Sequence, residues 1–126
     1  MKKIIHTTNA PAAIGPYSQA VEANGMLFIS GQIPVNPATG NVPEGITAQT
    51  EQVMANLTAI LEEAGYSPED VVKTTCLLSD IANFAPMNEV YAKTFTTNPP
   101  ARAAFAVRDL PKGVLVEIEA IAVKSK

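Results

Sequence analysis

The chain has a single cysteine, a single histidine and no tryptophan. One cysteine rules out an intrachain disulfide and removes the Cys/His spacings that hold structural zinc, so no metal site is expected. His6 lies close to the start and Cys76 has no partner, so nothing in the chain suggests a Ser-His-Asp or a Cys-His arrangement. His6 is expected at the surface, and Cys76 inside as a small hydrophobe. Charge is also scarce: Asp, Glu, Lys and Arg together make up 17% of the residues, against roughly 25% in an ordinary soluble domain. Nine Lys and Arg face twelve Asp and Glu, for a net charge of −3. The cations gather only at Lys2-Lys3 and at Lys124 with Lys126, so the basic stripe of a nucleic-acid-binding surface is missing. No apolar run approaches the roughly 20 residues that span a bilayer. The opening Met1-Lys2-Lys3-Ile4-Ile5-His6-Thr7 turns polar before a signal-peptide core could form, and a cytoplasmic protein is expected.

What the chain does have is apolar mass. Hydrophobic residues make up 47% of its 126 positions, which excludes a disordered segment and suits one domain, residues 1–126, with a real core. A small domain is mostly surface. A shortage of charge therefore implies that some of this surface is covered by another subunit, the alternative being a monomer with a Thr/Asn/Pro-rich exterior.

The pattern along the chain reads β-β-β-α-β-α-β-β. Residues 3–7 and 17–22 form short strands, Asn24-Gly25 is a strong hairpin turn, and Met26 to Ser30 is a buried strand ending at Gly31. Residues 31–45 hold three prolines and three glycines and form an ordered loop. Ile46 to Ala64 is a helix, with Ile46, Val53, Leu57, Ile60, Leu61 and Ala64 on its apolar stripe. Gln49, Gln52, Asn56 and Glu63 lie mostly off that stripe, and Gly65 ends the helix. Ser67 to Asp70 is a turn and Val71 to Leu78 a strand. A second helix, Ala82 to Phe95, is capped by Asp80 and carries Phe84, Met87, Tyr91 and Phe95 on one face. Pro99-Pro100 prevents its continuation. The last quarter reads as a hairpin, strands 102–107 and 114–123 joined through Asp109 to Gly113. The fold class is α+β, with both helices on one face of a sheet.

Alternation in the final strand puts Val116, Ile118, Ala120 and Ala122 under the helices, and Glu117 and Glu119 on the helix-free face with Leu115 and Ile121. If the terminal hairpin closes near residues 110–111, Arg102 falls opposite Glu117 or Glu119 on that same face. One reading of such a pair is a cross-strand salt bridge that holds register. The other is a carboxylate-binding arginine, whose planar fork grips an anion with two parallel hydrogen bonds, beside a glutamate that handles water. Tyr17, after Gly15-Pro16, reads as a packing residue, as does Tyr91. Asn88, three positions before Tyr91, caps or bridges backbone.

Four separated stretches, Ala10-Pro11-Ala12-Ala13-Ile14-Gly15-Pro16-Tyr17, Ser30-Gly31-Gln32-Ile33-Pro34, Pro100-Ala101-Arg102 and Val116-Glu117-Ile118-Glu119-Ala120-Ile121-Ala122, resemble signatures of the RidA (reactive intermediate deaminase, YjgF/YER057c/UK114) family. The resemblance runs from about residue 3 to the C-terminus. It implies a chorismate-mutase-like fold, a homotrimer with clefts between subunits, and cofactor-independent hydrolysis of 2-iminobutanoate and 2-iminopropanoate to 2-oxo acids and ammonia. By the same resemblance Arg102 binds the substrate carboxylate, Glu117 orients water, Tyr17 lines the pocket, Ser30 and Gly31 contribute backbone contacts, and Asn88 lies near the site. The chain departs from many relatives at Ala104, where they carry cysteine, so that only a backbone N–H is available there for substrate. The segment Thr96 to Pro99 is also shorter than in some. An endoribonuclease, a small-carboxylate sensor and a chaperone are the other functions that the resemblance leaves open.

Overall fold

The structure is a computed structural model that describes residues 1–124. Six strands, β1 (Lys3–Ile5), β2 (Ala20–Ala23), β3 (Met26–Gln32), β4 (Val71–Leu78), β5 (Ala101–Ala106) and β6 (Val116–Val123), form one mixed sheet in the order β1-β2-β3-β6-β4-β5. Two helices, α1 (Ile46–Ala64) and α2 (Phe84–Thr94), pack on one of its faces. The expected α+β class and element order stand. None of the described helices is long and apolar enough to cross a membrane.

Local chemistry accounts for the elements. Asn24 and Gly25 both take positive φ, 53° and 74°, in the tight turn joining β2 to β3, as right-twisted strands in a two-residue hairpin require. Gly65 ends α1 at φ 82°, and its N–H and that of Tyr66 satisfy the carbonyls of Glu62 and Leu61; a side chain there would be strained. Asp80 caps as expected, its Oδ1 accepting from the Ala82 N–H at 2.9 Å, but it caps a 3₁₀ turn, Ile81–Asn83, that precedes α2. Strand β2 starts at Ala20 rather than Tyr17, because the Tyr17 N–H turns back to the Gly15 carbonyl (2.9 Å) in a loop.

The core lies between the helices and the sheet. Val53, Leu57, Ile60 and Leu61 of α1 are buried against Leu27, Ile29, Cys76, Leu78, Val116 and Ile118. Removing any of these large side chains from water contributes about 1.5–3 kcal/mol. Two α1 residues expected off the stripe are buried with them. Asn56 is fully enclosed and its Nδ2 donates to the carbonyls of Ile33 and Val35, both at 3.1 Å. Gln49 accepts from the Leu115 N–H (2.8 Å) and donates to the Pro43 carbonyl (3.1 Å). A buried amide is stable only when its polar atoms are bonded, and these two satisfy that need by tying irregular segments to the helix. The expected polar face is thus partly an anchoring face.

The terminal hairpin is not formed. Strand β4 lies between β5 and β6, antiparallel to β6 and parallel to β5. The reason is the crossover helix: β4, α2 and β5 form a βαβ unit, whose two strands run parallel as neighbours. Inserting one strand changes every partner of Arg102. It pairs with Thr74 on β4, and Thr74 in turn faces Ala120 on β6, while Glu117 pairs with Leu77 and Glu119 with Thr75. Thr74, Cys76 and Leu78 are buried beneath the helices, so Arg102 sits on the helix side of the sheet. Glu117 and Glu119 sit on the helix-free side, as expected. Arg102 and Glu117 are therefore on opposite faces, two strands apart, which corrects both the cross-strand pairing and the shared face.

Candidate active site

Arg102 is exposed at the edge of the sheet on β5, and α2 holds it in place. Phe84, Asn88 and Tyr91 recur at i, i+4 and i+7 and so share one stripe of the helix. The Arg102 guanidinium carbon lies 5.3 Å from the centroid of Phe84 and 4.9 Å from that of Tyr91, within range of cation–π attraction. Arg102 Nη1 donates to Asn88 Oδ1 at 2.6 Å. Tyr91 is fixed from below, its hydroxyl 2.6 Å from the Thr74 Oγ1 in a buried hydrogen bond. Among the described residues the one ion pair is Arg108 with Asp109, so no carboxylate neutralises Arg102. With Asn88, Tyr91, Phe95, Pro99 and Pro100 it borders a hollow of about 470 Å³.

Ala104 follows two residues on, half-buried opposite Cys76. Burial pushes the Cys76 thiol up to about 11, with the Arg102 charge pulling weakly the other way. The cysteine is fully enclosed and His6 is exposed, as expected of both. Among the described residues no group of three or more His, Cys, Asp or Glu stands close enough to hold a metal ion.

The remaining candidates lie around β3 and β6. Ile29 pairs with Ala120 and Gln32 with Ile118, so Ser30 and Gly31 together oppose the single residue Glu119 in a β-bulge. Bulges re-aim side chains and backbone next to sites. Ser30 is fixed in this kink, its N–H donating to the Gln19 carbonyl (2.9 Å) and its hydroxyl to the Ser18 carbonyl (2.6 Å). The Glu117 carboxylate rests on Gly31: a Cβ built there would meet its Oε2 in a clash, with Cδ at 3.0 Å and Cγ at 3.2 Å. Glu117 is half-buried, and its carboxyl titrates above the usual range, chiefly from loss of water and then from the charge of Glu119.

Gly31 and Tyr17 line one cleft of about 490 Å³, with Ile14, Ile33, Val35 and Lys112 among its walls. Buried amides hold those walls. Gln19 accepts from the Thr7 N–H at 2.8 Å and donates to the carbonyls of Thr7 (3.0 Å) and Pro11 (2.8 Å), while Asn56 holds Ile33 and Val35. The candidates thus divide into two groups: Arg102, Asn88 and Ala104 on one side, and Tyr17, Ser30, Gly31 and Glu117 on the other. Phe84, Tyr91 and Thr74 were not among the candidates. The i, i+4, i+7 stripe through Phe84, Asn88 and Tyr91 is the signal that finds the first two; Thr74 follows only once β4 and β5 are paired.

A family model described as Endoribonuclease L-PSP matches residues 7–124. A RutC family protein of Pyrococcus horikoshii is 58% identical over 125 residues, which cover 98% of this chain and 99% of the relative. The 2-iminobutanoate/2-iminopropanoate deaminase of Escherichia coli is 50% identical over 127 residues, 98% of this chain and 99% of that protein. Escherichia coli TdcF, solved with bound serine, superposes with a TM-score of 0.95 at 46% identity over 98% of this chain and 99% of its own. With a matching family model, full-length relatives and the same fold, the chain belongs to the RidA (YjgF) family.

Proposed function

We propose that the protein is a 2-imino acid deaminase, hydrolysing 2-iminobutanoate and 2-iminopropanoate to 2-oxo acids and ammonia. The observation that carries this reading is Arg102, a guanidinium held by two rings and an amide, with no carboxylate on it among the described residues. A permanently charged, planar fork in that state is suited to a substrate carboxylate. The relatives that bear the deaminase name at 50% identity support it, as does the serine, a small carboxylate, bound in TdcF.

Arg102 and Glu117 do not meet within one chain, so we read the active site as shared between copies. The Arg102 edge of one subunit faces the Gly31–Tyr17 cleft of the next, where Glu117 rests on Gly31, in a homotrimer. The helix-free face supports an assembly: Phe28 and Phe105 on it are 42% and 48% exposed, and charge is scarce over the whole chain.

The chemistry asks little covalent machinery of the protein. The imine carbon is already electrophilic, and orientation of a water against it supplies most of what is required. With the carboxylate on Arg102, Glu117 directs water to that carbon. As the water oxygen bonds to the imine carbon, the C=N π pair takes up the proton that water loses, giving a carbinolamine. The carbinol hydroxyl then gives up its proton, nitrogen gains it, C=O forms as the C–N bond breaks, and ammonia leaves with the 2-oxo acid. A carboxyl whose affinity for protons is raised by burial is suited to relaying that proton. Tyr17 lines the cleft, and the Ser30-Gly31 and Ala104 backbones contact the substrate. Resident cofactor or metal plays no part in this scheme.

The description of the family model favours RNA cleavage as a second reading. Against it stands the spread of nine cations in an acidic chain, which offers no track for a phosphate backbone. The deciding assay is 2-oxo acid release from freshly generated 2-aminoacrylate, with RNA degradation run in parallel. No acceleration of 2-oxo acid release would overturn the deaminase.

A further inference from the structure

We infer that Asn88 is a positioning residue for Arg102 whose neutrality matters as much as its hydrogen bond. The inference rests on reading Arg102 as the carboxylate anchor, and it assigns Asn88 a role through Arg102 in place of direct contact with substrate.

Arg102 projects from an edge strand into solvent, where a long side chain would sample many rotamers. Three contacts restrict it: the Phe84 ring, the Tyr91 ring, and the 2.6 Å hydrogen bond to Asn88 Oδ1. All three are electrically neutral. A ring face attracts a cation through its quadrupole, and an amide oxygen through its dipole, and neither removes the net charge. An aspartate at position 88 would accept the same hydrogen bond with the same reach. It would also form an ion pair with the guanidinium and compete with any incoming carboxylate for the same donors. The Thr74–Tyr91 hydrogen bond extends the arrangement inward, because it fixes the ring on which the guanidinium lies. The fold thus orients the cation and leaves its charge available.

The test is Asn88→Asp beside Asn88→Ala and Arg102→Ala in the assembled protein, with 2-oxobutanoate as a stable carboxylate probe in titration calorimetry and deaminase kinetics in parallel. Asn88→Asp keeps the acceptor, so a purely structural role predicts affinity like that of the parent. Competition by the new carboxylate predicts instead a loss on the order of tenfold or more in affinity and in kcat/KM, with melting temperature equal to or above the parent's. Asn88→Ala, which frees Arg102 without neutralising it, should fall between the two. Parental affinity in Asn88→Asp, or a greater loss in Asn88→Ala than in Asn88→Asp, would overturn the inference while the contrast between parent and Arg102→Ala still upheld the anchor. Equal binding by parent and Arg102→Ala would overturn the anchor itself and the inference with it.

Discussion

The Glu117 carboxylate lies directly against the α-carbon of Gly31, in the space a side chain at residue 31 would fill. The bulge at Ser30–Gly31 and the alternation of β6 bring them together from opposite sides of one strand pair. Glycine is needed here for close approach, not for a left-handed backbone.

Gly31→Ala should therefore separate folding from function. The colliding atoms are the far end of a flexible side chain, so the carboxylate can swing aside and the melting temperature should fall by only a few degrees. Activity should fall by about tenfold or more, since the displaced carboxylate no longer directs water. Combining Gly31→Ala with Glu117→Gln should be no worse than Glu117→Gln alone. Additive losses in kcat/KM would mean that Gly31 acts by another route.

Arg102→Lys should already be damaging, because an ammonium supplies a point charge where a fork is needed. The expected loss is about 2–5 kcal/mol of substrate or transition-state binding, by analogy with truncated charge pairs at interfaces. Since Arg102 is exposed and carries no ion pair among the described residues, the melting temperature of the variant should stay close to the parent's. Near-normal kcat/KM in a correctly assembled Arg102→Lys would leave the residue a structural one.

The pH dependence follows from Glu117. Its proton affinity is raised in the folded chain, by burial first and then by Glu119. The folded state therefore binds the proton more tightly than the unfolded one. Glu117 favours folding most at pH below its unfolded value, and that contribution declines as pH rises through the unfolded and then the folded value. Glu117→Gln should flatten this acid-side slope. Glu119→Gln should move the Glu117 titration to lower pH, because it removes a like charge from the same sheet face. Carboxyl NMR titrations of parent and variant check the direction, and an unmoved Glu117 titration in Glu119→Gln would contradict it.

A shared site makes a prediction that no single-chain site can. Arg102→Ala and Glu117→Gln should each be strongly impaired, yet refolding the two together at equal amounts should restore about a quarter of the sites, those that draw both intact residues from different copies in a closed ring. Light scattering should give about three times the 13.3 kDa of one chain. No recovery of activity in verified mixed assemblies would place Arg102 and Glu117 outside a common site.

Much of the fold was written in local patterns. The α1 stripe, the Asn24-Gly25 turn, the Gly65 stop, the Asp80 cap and the burial of alternate residues of β6 each depend on periods of 3.6 or 2 and on single-residue backbone preferences. The short motifs around Tyr17, Ser30-Gly31, Arg102 and Glu117 likewise named the candidate residues without any coordinates. Their mutual arrangement is another matter. The face that Arg102 occupies depends on which strand it pairs with, and pairing is a contest among distant segments that local alternation does not decide. Once β4 entered between β5 and β6, Arg102 gained Thr74 as its partner and α2 as its support, while β3, pairing on the other side of β6, set Gly31 against Glu117. Sequence determined which groups could do chemistry; the order of strands in the sheet decided that one chain holds them apart.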